Sequence, residues 1–279
     1  MGISVTSPIE MYKAVVEPKV TLVSWTGNPI KAIASQLLNM QGKMYHDIDE
    51  IDEEYAISLV RDLKRTALAG GLETVDMLFQ IENVPRALTH QLVRTRVGAT
   101  YHQESLRFTT REDGFDYDMG ASIKTGEQAE LFTDCMEDIA DVYARLIQLG
   151  VSMEDARGVL PIGTMTKIGV KYNFKTLVHA SHVRLCYQSQ GHWKTVFSKI
   201  KQEVADKVHP VLAEFLQPIC AVSGRCEYKG IFDRQCPKED SLIAATCKGC
   251  IHKEMCEFYV KGIKECACNA LKSMHHFKE

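Results

Sequence analysis

Hydrophobic and polar positions along the chain follow two periods, one of strands and one of helices. Lys19 to Trp25 (KVTLVSW) is a β-branched run ending in Thr26-Gly27-Asn28-Pro29, a strand and turn that lead into a helix from Ile30 to Met40. Asp47, Asp49, Glu50, Asp52, Glu53 and Glu54 precede a helix from Tyr55 to Leu68. Carboxylates are favoured at the positive end of a helix dipole, so this cluster reads as a solvated helix start rather than a catalytic site. Gly70-Gly71 stops that helix, Thr74 to Ile81 (TVDMLFQI) predicts a strand, and Pro85 suits the first turn of a helix from Arg86 to Val93. Gly98 to Gln103 is too irregular to extend it and reads as a loop. Glu127 to Leu149 puts Leu131, Met136, Ile139, Val142 and Leu146 on one face, which predicts a long amphipathic helix with that stripe in the core. A short helix at Met153 to Leu160, before Pro161, and helices at Lys175 to Arg184 and Trp193 to Phe215 complete the pattern. The class is α/β of the α+β kind, helix-rich, with a small central sheet.

Length and charge narrow the partners. With 279 residues, 45% of them hydrophobic, the chain can bury a full core. A net charge of −3 leaves no global footprint for nucleic acid or an anionic membrane, so any anion site must be local. No apolar run approaches the roughly 18 residues that span a bilayer, and the N-terminus lacks the apolar core of a secretory signal. A cytoplasmic protein with small-molecule partners is the expectation. Of the ten cysteines, eight lie from Cys220 onward, which divides the chain into a catalytic-sized domain, 1–219, and a cysteine-rich segment, 220–279.

The chain has no G-x-S-x-G, no G-x-x-x-x-G-K-[ST], no H-E-x-x-H and no G-x-G-x-x-G, which argues against a nucleophile elbow, a P-loop, a zincin site and a Rossmann cofactor site. What stands out is a set of arginines in polar surroundings: Arg94, Arg96, Arg107, Arg157 and Arg184. Arginine captures phosphate through two parallel hydrogen bonds and stays charged when partly desolvated. The loop from Thr100 to Ser105 is flanked by Leu92-Val93 and Leu106-Phe108, more apolar than a solvated segment needs to be. Phosphate or nucleotide binding competes here with structural ion pairs.

Three ordered blocks carry a family resemblance. Asn83 to Phe108 (NVPRALTHQLVRTRVGATYHQESLRF) resembles the signature region of flavin-dependent thymidylate synthases, in which Arg-His-Arg is followed after a short loop by Ser and then Arg. Glu154 to Pro161 (EDARGVLP) is similar to that family's Ala-Arg-x-x-Leu-Pro block. Asn173 to Arg184 (NFKTLVHASHVR) is similar to its Asn-x-Arg-x-Leu-x-His block ending in Arg. The opening VTLVSWTGNP resembles the family's first strand and turn.

The resemblance implies that Gln91, Arg94, Gln103, Glu104, Ser105, Leu106, Arg107 and Arg157 hold a nucleotide, its phosphate above all. It implies that Arg94, Thr95, Arg96, Asn173, Phe174, Lys175 and His179 contact FAD, and that Arg184 sits against the pyrimidine base as the catalytic residue. It further implies methylene-tetrahydrofolate and NADPH as co-substrates, reductive methylation of dUMP to dTMP, and a homotetramer. The role of Arg184 also has a physical basis: a fixed cation beside the imide favours negative charge on uracil and makes the accepting carbon more nucleophilic. Cys186, near Arg184, has no base placed by sequence and reads as a packed thiol.

The departures cluster on the flavin and folate side. Thr95 replaces the central histidine of the motif, Thr74 replaces a second family histidine, Lys175 replaces an arginine, and the loop to Ser105 is one residue longer. These changes keep open a dUMP or dCMP hydroxymethylase or methylase. In the tail, Cys236, Cys247, Cys250 and Cys256 surround one Cys-x-x-Cys and suit zinc or an iron–sulfur cluster, with buried thiols and redox disulfides as alternatives. Interleaved lysines keep a nucleic-acid-binding zinc module as a further alternative, although equally interleaved acids leave no strong basic stripe.

Overall fold

The structure, a computed structural model, describes residues 17–65, 69–123 and 126–224; Cys236, Cys247, Cys250 and Cys256 lie outside the described residues. Its centre is a four-stranded antiparallel sheet of β1 (Lys19–Trp25), β2 (Asp76–Pro85), β3 (Ala99–Gln103) and β4 (Met165–Asn173), in the order β1-β2-β4-β3. The register explains why one face is buried. Met77, Phe79 and Ile81 of β2 stand opposite Tyr172, Val170 and Ile168 of β4, and Val20 and Leu22 of β1 stand opposite Ile81 and Phe79. Alternation then sends Asp76, Gln80 and Lys171 to the other face, where Lys171 and Asp76 pair at 2.8 Å.

Helices cover the apolar face. They are α1 (Pro29–Met40), α2 (Glu53–Asp62), α6 (Phe174–Arg184), α7 (Trp193–Lys207) and α8 (Pro210–Ala213), and their inward residues form one continuous core with the sheet. Pro29 opens α1, and Asp52 caps α2 by accepting from the Tyr55 amide at 2.8 Å. The remaining helices are α3 (Arg86–Leu92), α4 (Glu127–Gln148), α5 (Met153–Ala156) and α9 (Ile219–Ser223).

Several sequence expectations are corrected. The segment read as a loop at Gly98 to Gln103 is the edge strand β3, whose weak pattern reflects a partner on one side only. β4 adds a strand to those expected, and the alternation of Ile168, Val170 and Tyr172 is its signal. The helix expected from Trp193 to Phe215 breaks after Lys207, because Pro210 disfavours helical geometry at His209, whose backbone is extended. The helix expected to reach Leu68 ends at Asp62 and tightens into a 3-10 turn over Leu63–Arg65.

The stripe on α4 is not core. Met136 is buried, but Leu131 is 71% exposed and Val142 49% exposed. The helix is inward at Met136 and Tyr143, two turns apart, while Ile139 and Leu146 are only partly buried and Leu131 and Val142 are open on this chain. The apolar frame read around the 100–105 loop also divides: Leu92 and Leu106 are buried, whereas Val93 and Phe108 are exposed.

Candidate functional site

α3 is the hub of the site, and its start is tied down from outside. The Arg86 and Ala87 amides, which a first helical turn leaves without partners, donate to the carbonyls of Thr164 (3.0 Å) and Ile162 (2.8 Å). That anchoring sets α3 beside the segment carrying Arg157. Arg86 and His90, one turn apart, line a cavity of about 380 Å³ with Leu106, Glu154, Arg157 and Pro161.

The cavity is electropositive. Arg86 Nη1 is buried with no hydrogen-bond partner among the described residues, and burial followed by the charge of Arg157 holds the Arg86 pKa below its ordinary value. Two guanidiniums so placed want an anion between them. Arg157 donates through Nε to the Glu154 carbonyl at 3.1 Å, and Arg107 pairs with the Glu154 carboxylate at 3.1 Å, so Glu154 gathers both arginines at the rim. Ser105 Oγ accepts from the Arg107 amide at 3.3 Å, which leaves its own hydroxyl proton to donate.

Gln103 and Glu104 are turned elsewhere. Gln103 donates to Thr89 Oγ1 at 3.0 Å and ties β3 to α3. Glu104 pairs with Arg111 at 2.9 Å in a second cavity, of about 250 Å³, lined also by Asn83, Asp116 and Lys167. Burial opposes ionisation of Glu104, but the hydrogen bond and charge of Arg111 outweigh it and hold the carboxyl below its usual range.

A second constellation lies on another face of α3. Arg184 Nη1 donates to Gln91 Oε1 at 3.3 Å, and its guanidinium carbon sits 3.9 Å from the centroid of the Trp193 ring. Trp193 Nε1 donates to the same Gln91 oxygen at 3.0 Å, and Gln91 Nε2 donates to Gln190 Oε1 at 2.6 Å. Near Arg184 lie Tyr101 and Tyr172, their rings edge to face with centroids 6.2 Å apart; burial raises both phenol pKa values and the charge of Arg184 opposes the rise.

The third group is Arg94, Thr95 and Arg96, just past α3. Thr176 Oγ1 donates to the Val97 carbonyl at 3.0 Å and the Asn173 amide donates to the Gly98 carbonyl at 2.7 Å, which seats this turn on the N-terminus of α6. Asn173 Oδ1 accepts from the Thr176 amide at 2.8 Å, and Lys175 pairs with Glu73 at 2.5 Å. Tyr101 donates to the Thr95 carbonyl at 2.6 Å. Arg94, Arg96 and His179 are exposed, whereas Phe174 is fully buried in the core, a position that suits packing better than ligand contact. Exposed cations beside a capped helix N-terminus suit the pyrophosphate of a dinucleotide such as FAD. Thr74 donates to the Gly71 carbonyl at 2.8 Å, so the residue in place of the second histidine is used in the local turn. Cys186 is buried, as a packed thiol should be.

The chain thus brings Arg157 and Leu106 into one cavity, with Arg107 at its rim, and Gln91 and Arg184 into a separate cluster. Gln91, Arg94, Ser105 and Arg184 do not line the 380 Å³ cavity. Sequence reasoning missed Arg86 and Trp193. The spacing of Arg86 and His90 on one helical face was the available signal for the first; nothing in the sequence distinguishes Trp193 from a core aromatic. No group of His, Cys, Asp or Glu able to hold a metal occurs among the described residues, and no helix among them is long and apolar enough to cross a membrane.

A one-sided antiparallel sheet whose hub helix opens an arginine-lined cavity defines an α/β protein built to hold a phosphorylated small molecule. A family model described as thymidylate synthase complementing protein matches residues 21–211. The flavin-dependent thymidylate synthase of Sulfurisphaera tokodaii is 34% identical over 206 residues, covering 73% of this chain and 79% of that one. That of Geobacter sulfurreducens is 32% identical over 219 residues, covering 76% and 92%. The chain belongs to the flavin-dependent thymidylate synthase family. Its fold is also that of a UMP/dUMP methylase from Streptomyces cacaoi, solved with 5-Br dUMP, at a TM-score of 0.60 and 21% identity over 71% of this chain and 94% of the other.

Proposed function

We propose that this chain is a methyltransferase that converts dUMP to dTMP with FAD, NADPH and methylene-tetrahydrofolate. The observation that carries the reading is the orphaned Arg86 guanidinium nitrogen in the 380 Å³ cavity it shares with Arg157, with Arg107 and Ser105 at hand. Arg86, Arg107, Arg157 and Ser105 hold the nucleotide phosphate. Arg184 places its charge beside the pyrimidine imide, so that negative charge on the ring is stabilised and the accepting carbon attacks the one-carbon unit without a cysteine nucleophile. Arg94, Arg96, Asn173, Lys175 and His179, with Thr95 beside them, would hold the flavin, which when bound and reduced would supply the hydride that completes the methyl group.

The separation of the two half-sites favours self-association, and the family resemblance supplies the count of four, a homotetramer. The cavity with Arg86 and Arg157 and the cluster with Arg184 and Gln91 remain separate within one chain, and apolar residues of α4 are open on its surface. A second copy that covers α4 and joins the half-sites accounts for both. In the tail, Cys236, Cys247, Cys250 and Cys256 hold zinc or an iron–sulfur cluster; the support is their spacing.

Purified protein tests the reading. It should release FAD on denaturation and oxidise NADPH faster when deoxyuridylate is present. No bound flavin in either redox state at saturating FAD overturns the synthase reading.

A further inference from the structure

Arg184 is the last residue of α6, and a helix end is a poor place to fix a long side chain. Its guanidinium is nevertheless held, because Trp193, the first residue of α7, sets its ring against it. Trp193 is 1% exposed and packs on Phe197, with ring centroids 5.9 Å apart, so the surface that Arg184 rests on belongs to the core. The start of α7 is itself clamped: His192, the preceding residue, meets Asp118 at 3.2 Å.

The indole also sets the polarity of Gln91. Trp193 Nε1 and the guanidinium can only donate, so the Gln91 oxygen must face both of them. The amide nitrogen is then directed to Gln190 Oε1, and one carboxamide is fixed in a single orientation. A leucine or phenylalanine at 193 would fill space but remove one of the two donors that fix the orientation of the amide.

We infer that Trp193 is a positioning residue for the reaction: its ring face fixes the charge of Arg184 and its N–H locks the orientation of Gln91. The inference rests on the proposed role of Arg184 and adds to it a residue that touches neither nucleotide nor flavin.

A double-mutant cycle in the full-length holoprotein tests it, with kcat and KM for deoxyuridylate read separately. Trp193→Phe keeps an aromatic face and loses the donor; Trp193→Leu loses both. On the scale of a cation–π contact plus one hydrogen bond, kcat should fall about threefold to tenfold in Trp193→Phe and about thirtyfold or more in Trp193→Leu, with FAD content retained. Arg184→Ala should lower kcat further still. Adding Trp193→Leu to Arg184→Ala should then cost almost nothing more, since the group being positioned is gone. A merely structural tryptophan would instead multiply the two losses.

A fluorescence readout needs no substitution at 193. The chain has two tryptophans, so Trp25→Phe leaves Trp193 as sole reporter. In that background Arg184→Ala should change the emission, and so should deoxyuridylate in the protein that keeps Arg184. Multiplicative losses, kcat within twofold of wild type in Trp193→Leu, or emission blind to Arg184→Ala would each overturn the inference. Full turnover in Arg184→Ala would overturn the Arg184 reading first and the inference with it, whereas loss in Arg184→Ala alone would overturn only the role of Trp193.

Discussion

Alanine at Gly98 is the sharpest perturbation of the flavin side. Gly98 has φ +70, and a Cβ there would lie 2.3 Å from Thr176 Oγ1, 2.4 Å from Asn173 Nδ2 and 2.8 Å from Asn173 Cγ. The Asn173 side chain caps α6 and the Thr176 hydroxyl holds the turn carrying Arg94 and Arg96. Left-handed geometry costs an alanine about 1–2 kcal/mol. Displacing the Asn173 cap adds about 1 kcal/mol. The total of about 2–3 kcal/mol should lower Tm by about 5–10 °C, at the few degrees per kcal/mol expected for a domain of this size. Gly42 is the control: its φ is +79 and a Cβ there would meet nothing within 4 Å, so Gly42→Ala carries the backbone cost alone. Melting curves and FAD titrations on both variants separate the effects: Gly98→Ala should melt lower than Gly42→Ala and bind FAD more weakly, while Gly42→Ala binds it normally. Equal melting temperatures with equal FAD affinity would refute the close-approach argument.

Two further outcomes follow from the geometry and one from the spacing of the tail cysteines. Arg86→Ala should weaken deoxyuridylate binding by about 1.5–3 kcal/mol, the scale of a charge-assisted hydrogen bond, and calorimetric titration showing unchanged affinity would remove Arg86 from the phosphate site. The hydrogen bond to Asp118 raises the His192 pKa above 6.5 against the opposing effect of burial, and the same bond lowers that of Asp118. The histidine's share of the pair's stabilisation is therefore full below pH 6.5 and fades as pH rises through the raised His192 value, so the Tm gap between wild type and Asp118→Asn should narrow with rising pH; a gap constant across that range contradicts it. Metal analysis should find zinc or iron near stoichiometric with protein and reduced by Cys247→Ser, whereas metal-free, reduced protein of undiminished stability would favour buried thiols.

Elements with strong patterns or clear start signals were legible in the sequence. β1 was bounded correctly because Val20 and Leu22 alternate with polar neighbours and a Gly-Asn-Pro turn follows. α1, α3 and α6 were placed to within a residue or two, with the turn at Pro29 and the Pro85 start marking the first two. β3 escaped because an edge strand with one ladder needs little apolar pattern, and its Thr100 and His102 face outward. α4 misled for the opposite reason: a helical stripe reports that a face will be covered, not that this chain covers it.

At the candidate site, residue types were legible and their grouping was not. Arginines at 107, 157 and 184 announce an anion site by type. Arg157 meets the Glu154 carbonyl within its own turn, but that the Glu154 carboxylate also holds Arg107, and that Arg184 rests on the first residue of α7, depends on how separate elements pack. Arg86 reads as an ordinary first-turn residue until the segment from Ile162 to Thr164 is seen to pack against it.

The mass of the nucleotide product tests the central claim most directly. Protein incubated with FAD, NADPH, methylene-tetrahydrofolate and either deoxyuridylate or deoxycytidylate should add a methyl increment to deoxyuridylate, and Arg184→Ala should not. A hydroxymethyl increment, or an increment on deoxycytidylate alone, would contradict thymidylate synthesis, and no one-carbon transfer to either nucleotide with both FAD and nucleotide bound would contradict the enzyme itself.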